Sequence, residues 1–110
     1  MNFSTASRDH AGHTVLSVSG EVDIHTSPML RLALADLTGP ERRLIVDLGD
    51  VQFLDSSGLG ALVEGLNRAK DMDGDLSLVC PAGPMLKLLR ITGLDQVFVL
   101  YATIEDAVTG

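Results

Sequence analysis

The residues Leu44-Ile45-Val46-Asp47-Leu48 form a nearly continuous aliphatic run, and a stripe of Leu59, Leu62, Val63 and Leu66 follows shortly after it. A run that short and that apolar reads as a buried strand. Apolar residues at i, i+3, i+4 and i+7 read as a helix with one core-facing stripe. A buried strand feeding an amphipathic helix fits few architectures. The helix must cross the sheet and return the chain to a parallel neighbour.

The rest of the chain extends that pattern. Residues 13–20, with alternating β-branched positions and a terminal Gly20, predict a strand. Residues 2–9 are a weaker strand candidate, joined to it by a turn at Ala11-Gly12. Thr26 or Ser27 can cap a helix with Pro28 in its first turn. Met29, Leu30, Ala33, Leu34 and Leu37 recur there at helical spacing, and Gly39-Pro40 stops it. A strand over 43–48, a helix from about Ser56 to Lys70, a turn at 71–75 and a strand from Leu76 to Cys80 follow. A short helix begins at Pro81–Pro84, and Thr92-Gly93-Leu94 breaks the chain. A last strand is expected at Val97–Leu100 and a helix at Ile104–Val108, started by Thr103, Glu105 and Asp106. The order is ββαβαβαβα. It predicts an α/β fold, a small mixed, mostly parallel β-sheet flanked by helices.

A chain of 110 residues suggests a single domain over 1–110, without room for separate catalytic and binding domains. Aromatics make up 4% and Trp is absent, so few side chains could stack bases. The net charge of −7 argues against general affinity for nucleic acid or an anionic membrane. No apolar run approaches the ~18 residues of a membrane span, and the N-terminus lacks the regions of a signal peptide. A cytoplasmic protein is expected. Cys80 is the single cysteine, which excludes an internal disulfide, and its apolar run reads as core.

Familiar catalytic patterns fail on spacing. His10, His13 and His25 have no metal-ligand spacing, so no metal site is expected. Asp71 to Asp75 begins like a calcium loop, but its twelfth position is Ala82. Gly58-Leu59-Gly60 has Val63 where a dinucleotide fingerprint needs Gly or Ala. Neither Ser56 nor Ser57 has the glycine two residues earlier that a nucleophile elbow requires. No cofactor and no self-contained enzyme is expected.

What remains is Phe53-Leu54-Asp55-Ser56-Ser57-Gly58-Leu59-Gly60, between strand and helix. It puts hydroxyls at a helix N-terminus, where free N–H groups and the dipole favour an added negative charge. The serine there is a plain cap or a phosphorylation switch. Asp55 or Ser56 already caps, so Gly58 and Gly60, each costing about 0.5–1 kcal/mol in a helix, need another reason. Gly58, Ala61 and Gly65 share one side and allow close approach, either of the sheet below or of a partner outside.

Asp55-Ser56-Ser57-Gly58-Leu59-Gly60 resembles the phosphorylation motif of the anti-sigma factor antagonists, the single-domain STAS proteins. Gly20-Glu21-Val22-Asp23 with Thr26-Ser27-Pro28, Leu44 to Leu48 followed by Val51 to Leu54, and Leu88 to Leu94 resemble further stretches of that family in order. The resemblance implies phosphorylation at Ser56, with Ser57 its neighbour, by an anti-sigma factor of GHKL serine-kinase type. The unphosphorylated form would bind that partner and release a sigma factor; a serine phosphatase would reset the cycle. Glu21, Asp23, Asp55, Ser57, Gly58, Leu59 and Gly60 would form the partner-binding surface, and a monomer is expected. The alternative is a non-switching STAS scaffold in a stress-sensing or lipid-transport complex.

Overall fold

The computed structural model describes residues 2–110. Two antiparallel strands open the chain, β1 (Phe3–His10) and β2 (His13–Val22). Helix α1 (Ser27–Leu37), strand β3 (Arg43–Leu54), helix α2 (Ser56–Asp71) and strand β4 (Asp75–Val79) follow. Helix α3 (Pro84–Ile91), a short 3-10 turn at Leu94–Gln96, strand β5 (Leu100–Tyr101) and helix α4 (Ile104–Thr109) complete it. The strands lie in the order β1-β2-β3-β4-β5, and every pair after the first is parallel. The α/β class and element order agree with the sequence reading.

Alternation along the strands divides the core. Leu16 and Val18 of β2, Leu44, Val46 and Leu48 of β3, and Leu76 and Leu78 of β4 face the larger cluster, with Leu30, Leu34, Leu62, Leu66 and Leu89 from the helices. Val15, Ile45 and Val79 face the other side, where Ala107 of α4 covers them. So α1, α2 and α3 occupy one face, and the short α4 covers part of the other.

Three strand boundaries and one burial differ from the sequence reading. Strand β3 runs on past Leu48 to Leu54, because it takes up the Gly49-Asp50 interruption as bulges of its own, one extra β3 residue opposite Ser17–Ser19 and another opposite Gly20–Glu21. Strand β2 likewise runs on to Val22. The expected strand at Val97–Leu100 shrinks to Leu100–Tyr101, since Val97 closes the 3-10 turn. Met29, expected in the core stripe of α1, is exposed, while Leu30 and Leu34 are buried.

Candidate functional site: the ends of β2 and β3

Strands β2 and β3 are parallel and stop together, with Val22 opposite Leu54. Their carboxyl ends therefore release two neighbouring segments, the β2–α1 turn and the first turn of α2. The Asp55 amide donates to the Val22 carbonyl at 3.1 Å and ties the two together.

Asp55 is the N-cap of α2. Its Oδ1 accepts from the Ser57 amide at 2.9 Å and the Gly58 amide at 3.2 Å, and from the Ser57 hydroxyl. The Leu59 amide already bonds the Asp55 carbonyl at 3.0 Å. The Ser57 hydroxyl, followed by the Gly58, Ser57 and Ile24 amides, holds the Asp55 carboxyl below its ordinary value, against an opposing desolvation effect. The amides that were expected to receive an added charge are thus occupied by Asp55. Any charge placed on Ser56 would stand beside a carboxylate, without those donors.

This arrangement separates the two serines. Ser57 is half-buried and bonded to Asp55. Ser56 is exposed, and its hydroxyl has no partner among the described residues.

The glycines separate as well. A Cβ on Gly58 would collide with Leu54 Cδ1 and lie 2.7 Å from Val22 Cγ1. A Cβ on Gly65 would lie 3.1 Å from Leu34 Cδ1 and 3.3 Å from Leu76 Cδ1. Both glycines are buried, so close packing on the sheet explains them, and Gly58 is a spacer inside the fold rather than an outward contact. Gly60 is exposed, with only Arg31 Nη2, at 3.6 Å, near its missing Cβ. Leu59 is half-buried against the larger core cluster.

Glu21 and Asp23 stand in different settings. Glu21 is the register partner of Phe53, and both alternate with Val22 and Leu54, which face Gly58. Glu21 and Phe53 are both exposed, each beside a residue that packs under α2. Asp23 turns inward on its own loop. Its Oδ1 accepts from the His25 amide at 2.8 Å, the Thr26 amide at 3.0 Å and the Thr26 hydroxyl at 3.3 Å. Desolvation pushes the Asp23 carboxyl up, but the Thr26 and His25 amides, the Thr26 hydroxyl and the charge of His25 together leave it lowered.

Two features escaped the sequence reading. Thr26 stands at the N-cap position of α1 but makes no side-chain cap bond, so its hydroxyl serves another purpose. The Asp23-x-x-Thr26 spacing, a turn pattern in its own right, was the available signal. A cavity of about 550 Å³ lies between the far end of β3 and the loop into α3, lined by Leu48, Val51, Phe53, Pro81, Met85 and Leu88. Cys80 also borders it, with burial pushing the thiol up and away from reactivity. Among the described residues no cluster of His, Cys, Asp or Glu could hold a metal, and no helix is long and apolar enough to cross a membrane.

Comparison with known proteins places these features in a wider group. The STAS domain family model matches residues 4–107. The anti-sigma-B factor antagonist of Bacillus subtilis is 30% identical over 108 residues, covering 98% of this chain and 99% of that protein. The anti-sigma-F factor antagonist RsfB of Mycobacterium tuberculosis is 32% identical over 103 residues, covering 93% of this chain and 84% of that protein. The crystal structure of an anti-sigma factor antagonist from Mycobacterium paratuberculosis superposes with a TM-score of 0.88 at 35% identity, covering 98% of this chain and 92% of that one.

Proposed function

The chain belongs to the STAS domain family, and from that premise we propose that it is an anti-sigma factor antagonist switched by phosphorylation of Ser56. The observation that carries this reading is the exposed, unbonded Ser56 hydroxyl at the first position of α2, next to a Ser57 already held by Asp55. The relatives named as anti-sigma factor antagonists support the partner class. Unphosphorylated protein binds an anti-sigma factor of GHKL serine-kinase type and so frees a sigma factor. Phosphorylated protein does not bind, and a serine phosphatase restores it. On this reading the protein acts in the cytoplasm as a single STAS domain, a binding protein and not an enzyme.

The chemistry of the switch is electrostatic. Phosphorylation adds about −1.5 to −2 charges. With the Ser57 and Gly58 amides committed to Asp55, that charge is not absorbed by the helix end. It projects toward whatever docks there. Two like charges about 4 Å apart repel by ~1 kcal/mol in water and ~4 kcal/mol at a partly desolvated protein surface. A penalty of about 3 kcal/mol already weakens binding more than a hundredfold. The docking surface comprises Ser56, the open Gly60 and the exposed Ile24. Asp55, Ser57 and Gly58 shape it from within.

Incubation with an anti-sigma factor of GHKL serine-kinase type from the same organism, plus ATP, tests the reading. Mass spectrometry should place one phosphate on Ser56 and none on Ser57. Ser56→Asp should lose partner binding, and Ser56→Ala should retain it. An unmodified Ser56, together with Ser56→Asp binding undiminished, overturns the switch and leaves a static STAS contact module.

A further inference from the structure

We infer that Thr26 is a positioning residue: its buried hydroxyl locks the β2–α1 turn and thereby holds Ile24 beside the first turn of α2 as part of the partner-binding surface. This rests on the function proposed above.

Thr26 is only 1% exposed. Its Oγ1 donates to the Glu21 carbonyl at 2.9 Å and accepts from the Asp23 amide at 2.9 Å. It also lies 3.3 Å from Asp23 Oδ1, which accepts from the His25 and Thr26 amides. One side chain thus ties the end of β2 to the start of α1. If Thr26 were an ordinary helix cap, its oxygen would accept from α1 amides, and it accepts from none. The hydroxyl serves the turn.

What the turn presents is Ile24. Its side chain is 71% exposed, and it stands in the turn that leads from β2 to α1. Two residues before it, Val22 ends β2 opposite Leu54, and Asp55, the next residue after Leu54, holds Ser57. The Asp55 amide bonds the Val22 carbonyl at 3.1 Å from the other side. The turn and the helix start are therefore joined through the paired ends of β2 and β3, and both Ile24 and Ser56 are exposed. A surface fixed in advance binds without the cost of ordering it on contact. Asp23 acts through this turn and not by touching the partner.

Thr26→Val keeps the shape and removes the hydroxyl; Thr26→Ser keeps the hydroxyl. In the free protein, hydrogen exchange read by NMR should quicken at the Asp23, His25 and Thr26 amides in Thr26→Val by about tenfold or more, as loss of a buried hydrogen-bond hub requires. The amides of Leu34 and Leu62 should keep their protection. Affinity for the anti-sigma factor should fall about tenfold or more in Thr26→Val, and Thr26→Ser should restore both readouts. If Thr26→Val does not fold, Asp23→Ala loosens the same turn from a half-exposed position and should give the same pair of changes. Loosened turn amides with affinity within about twofold of wild type would overturn the inference. So would wild-type exchange in Thr26→Val. The exchange measurement needs no partner: a Ser56→Asp protein that binds normally would remove the switch while leaving the Thr26 latch standing.

Discussion

Two glycines two residues apart should respond to alanine with opposite signs. Within a helix, Gly→Ala gains about 0.5–1 kcal/mol by restricting the unfolded chain and stiffening the helix. At Gly60 nothing opposes that gain, because the new methyl would meet only Arg31 Nη2 at 3.6 Å. At Gly58 the methyl would press on Leu54 Cδ1 and sit 2.7 Å from Val22 Cγ1. Neither neighbour yields easily: Val22 is fully buried and β-branched, and Leu54 is 4% exposed. Overpacking of that kind costs about 1–3 kcal/mol and outweighs the helix gain, leaving a net loss of about 1–2 kcal/mol. For a chain of this size each kcal/mol moves the melting temperature by about 4 °C or somewhat more. Gly60→Ala should therefore melt a few degrees above wild type and Gly58→Ala roughly 4–8 °C below it, with urea midpoints moving in the same directions. If Gly58→Ala is as stable as Gly60→Ala, the assignment of Gly58 to the packed side of α2 is wrong.

Gly60→Ala should at the same time bind the anti-sigma factor more weakly by about tenfold, since a methyl on a closely approached surface separates the partners; calorimetric titration beside the melting curve checks both. Asp23 and Asp55 both have lowered carboxyls, so the unfolded chain takes up their protons first as pH falls. The stability they supply is complete above the ordinary value near 3.8 and is lost as pH drops through their lower folded values. Asp23→Asn and Asp55→Asn should flatten the decline in urea midpoint below about pH 4, and an unchanged slope in both would contradict the assignment. Gly20→Ala should be strongly destabilising, because Gly20 has φ +93° and a Cβ there would strike the Asn2 carbonyl; thermal melting reads it directly. Arg31→Ala, which removes the exposed 3.0 Å pair with Glu64, should shift stability by less than about 1 kcal/mol in the same assay.

The architecture was legible where one physical signal dominated. Leu44 to Leu48 had to be a buried strand, and Leu59, Leu62, Val63 and Leu66 had to face a core. The strand's continuation to Leu54 was hidden because Gly49, Asp50 and Gln52 are exposed, and its pairing depends on the bulged register with β2. At the other end, Val97 and Val99 look like strand residues but are exposed, and only Phe98 between them is buried. The candidate site was legible as a motif and illegible in its directions. Spacing grouped Gly58 with Gly65 but could not say whether sheet or solvent stood opposite them. Composition allowed Asp55 or Ser56 to cap; geometry chose Asp55 and gave it Ser57 as well. Glu21 and Asp23 are neighbours in sequence, yet strand alternation and the Thr26 turn send their side chains to different tasks.

The strand order β1-β2-β3-β4-β5 also bears on how the protein is made. Each strand docks on the one synthesised just before it, so every new strand finds its partner already in place, after one helical crossover for each parallel pair. Both segments that meet at Ser56 come from the adjacent pair β2 and β3. The regulatory corner can take shape while the chain is still emerging, and the later strands β4 and β5 then seal the sheet behind it. A truncation after α2 would therefore be the natural place to look for the earliest folding nucleus.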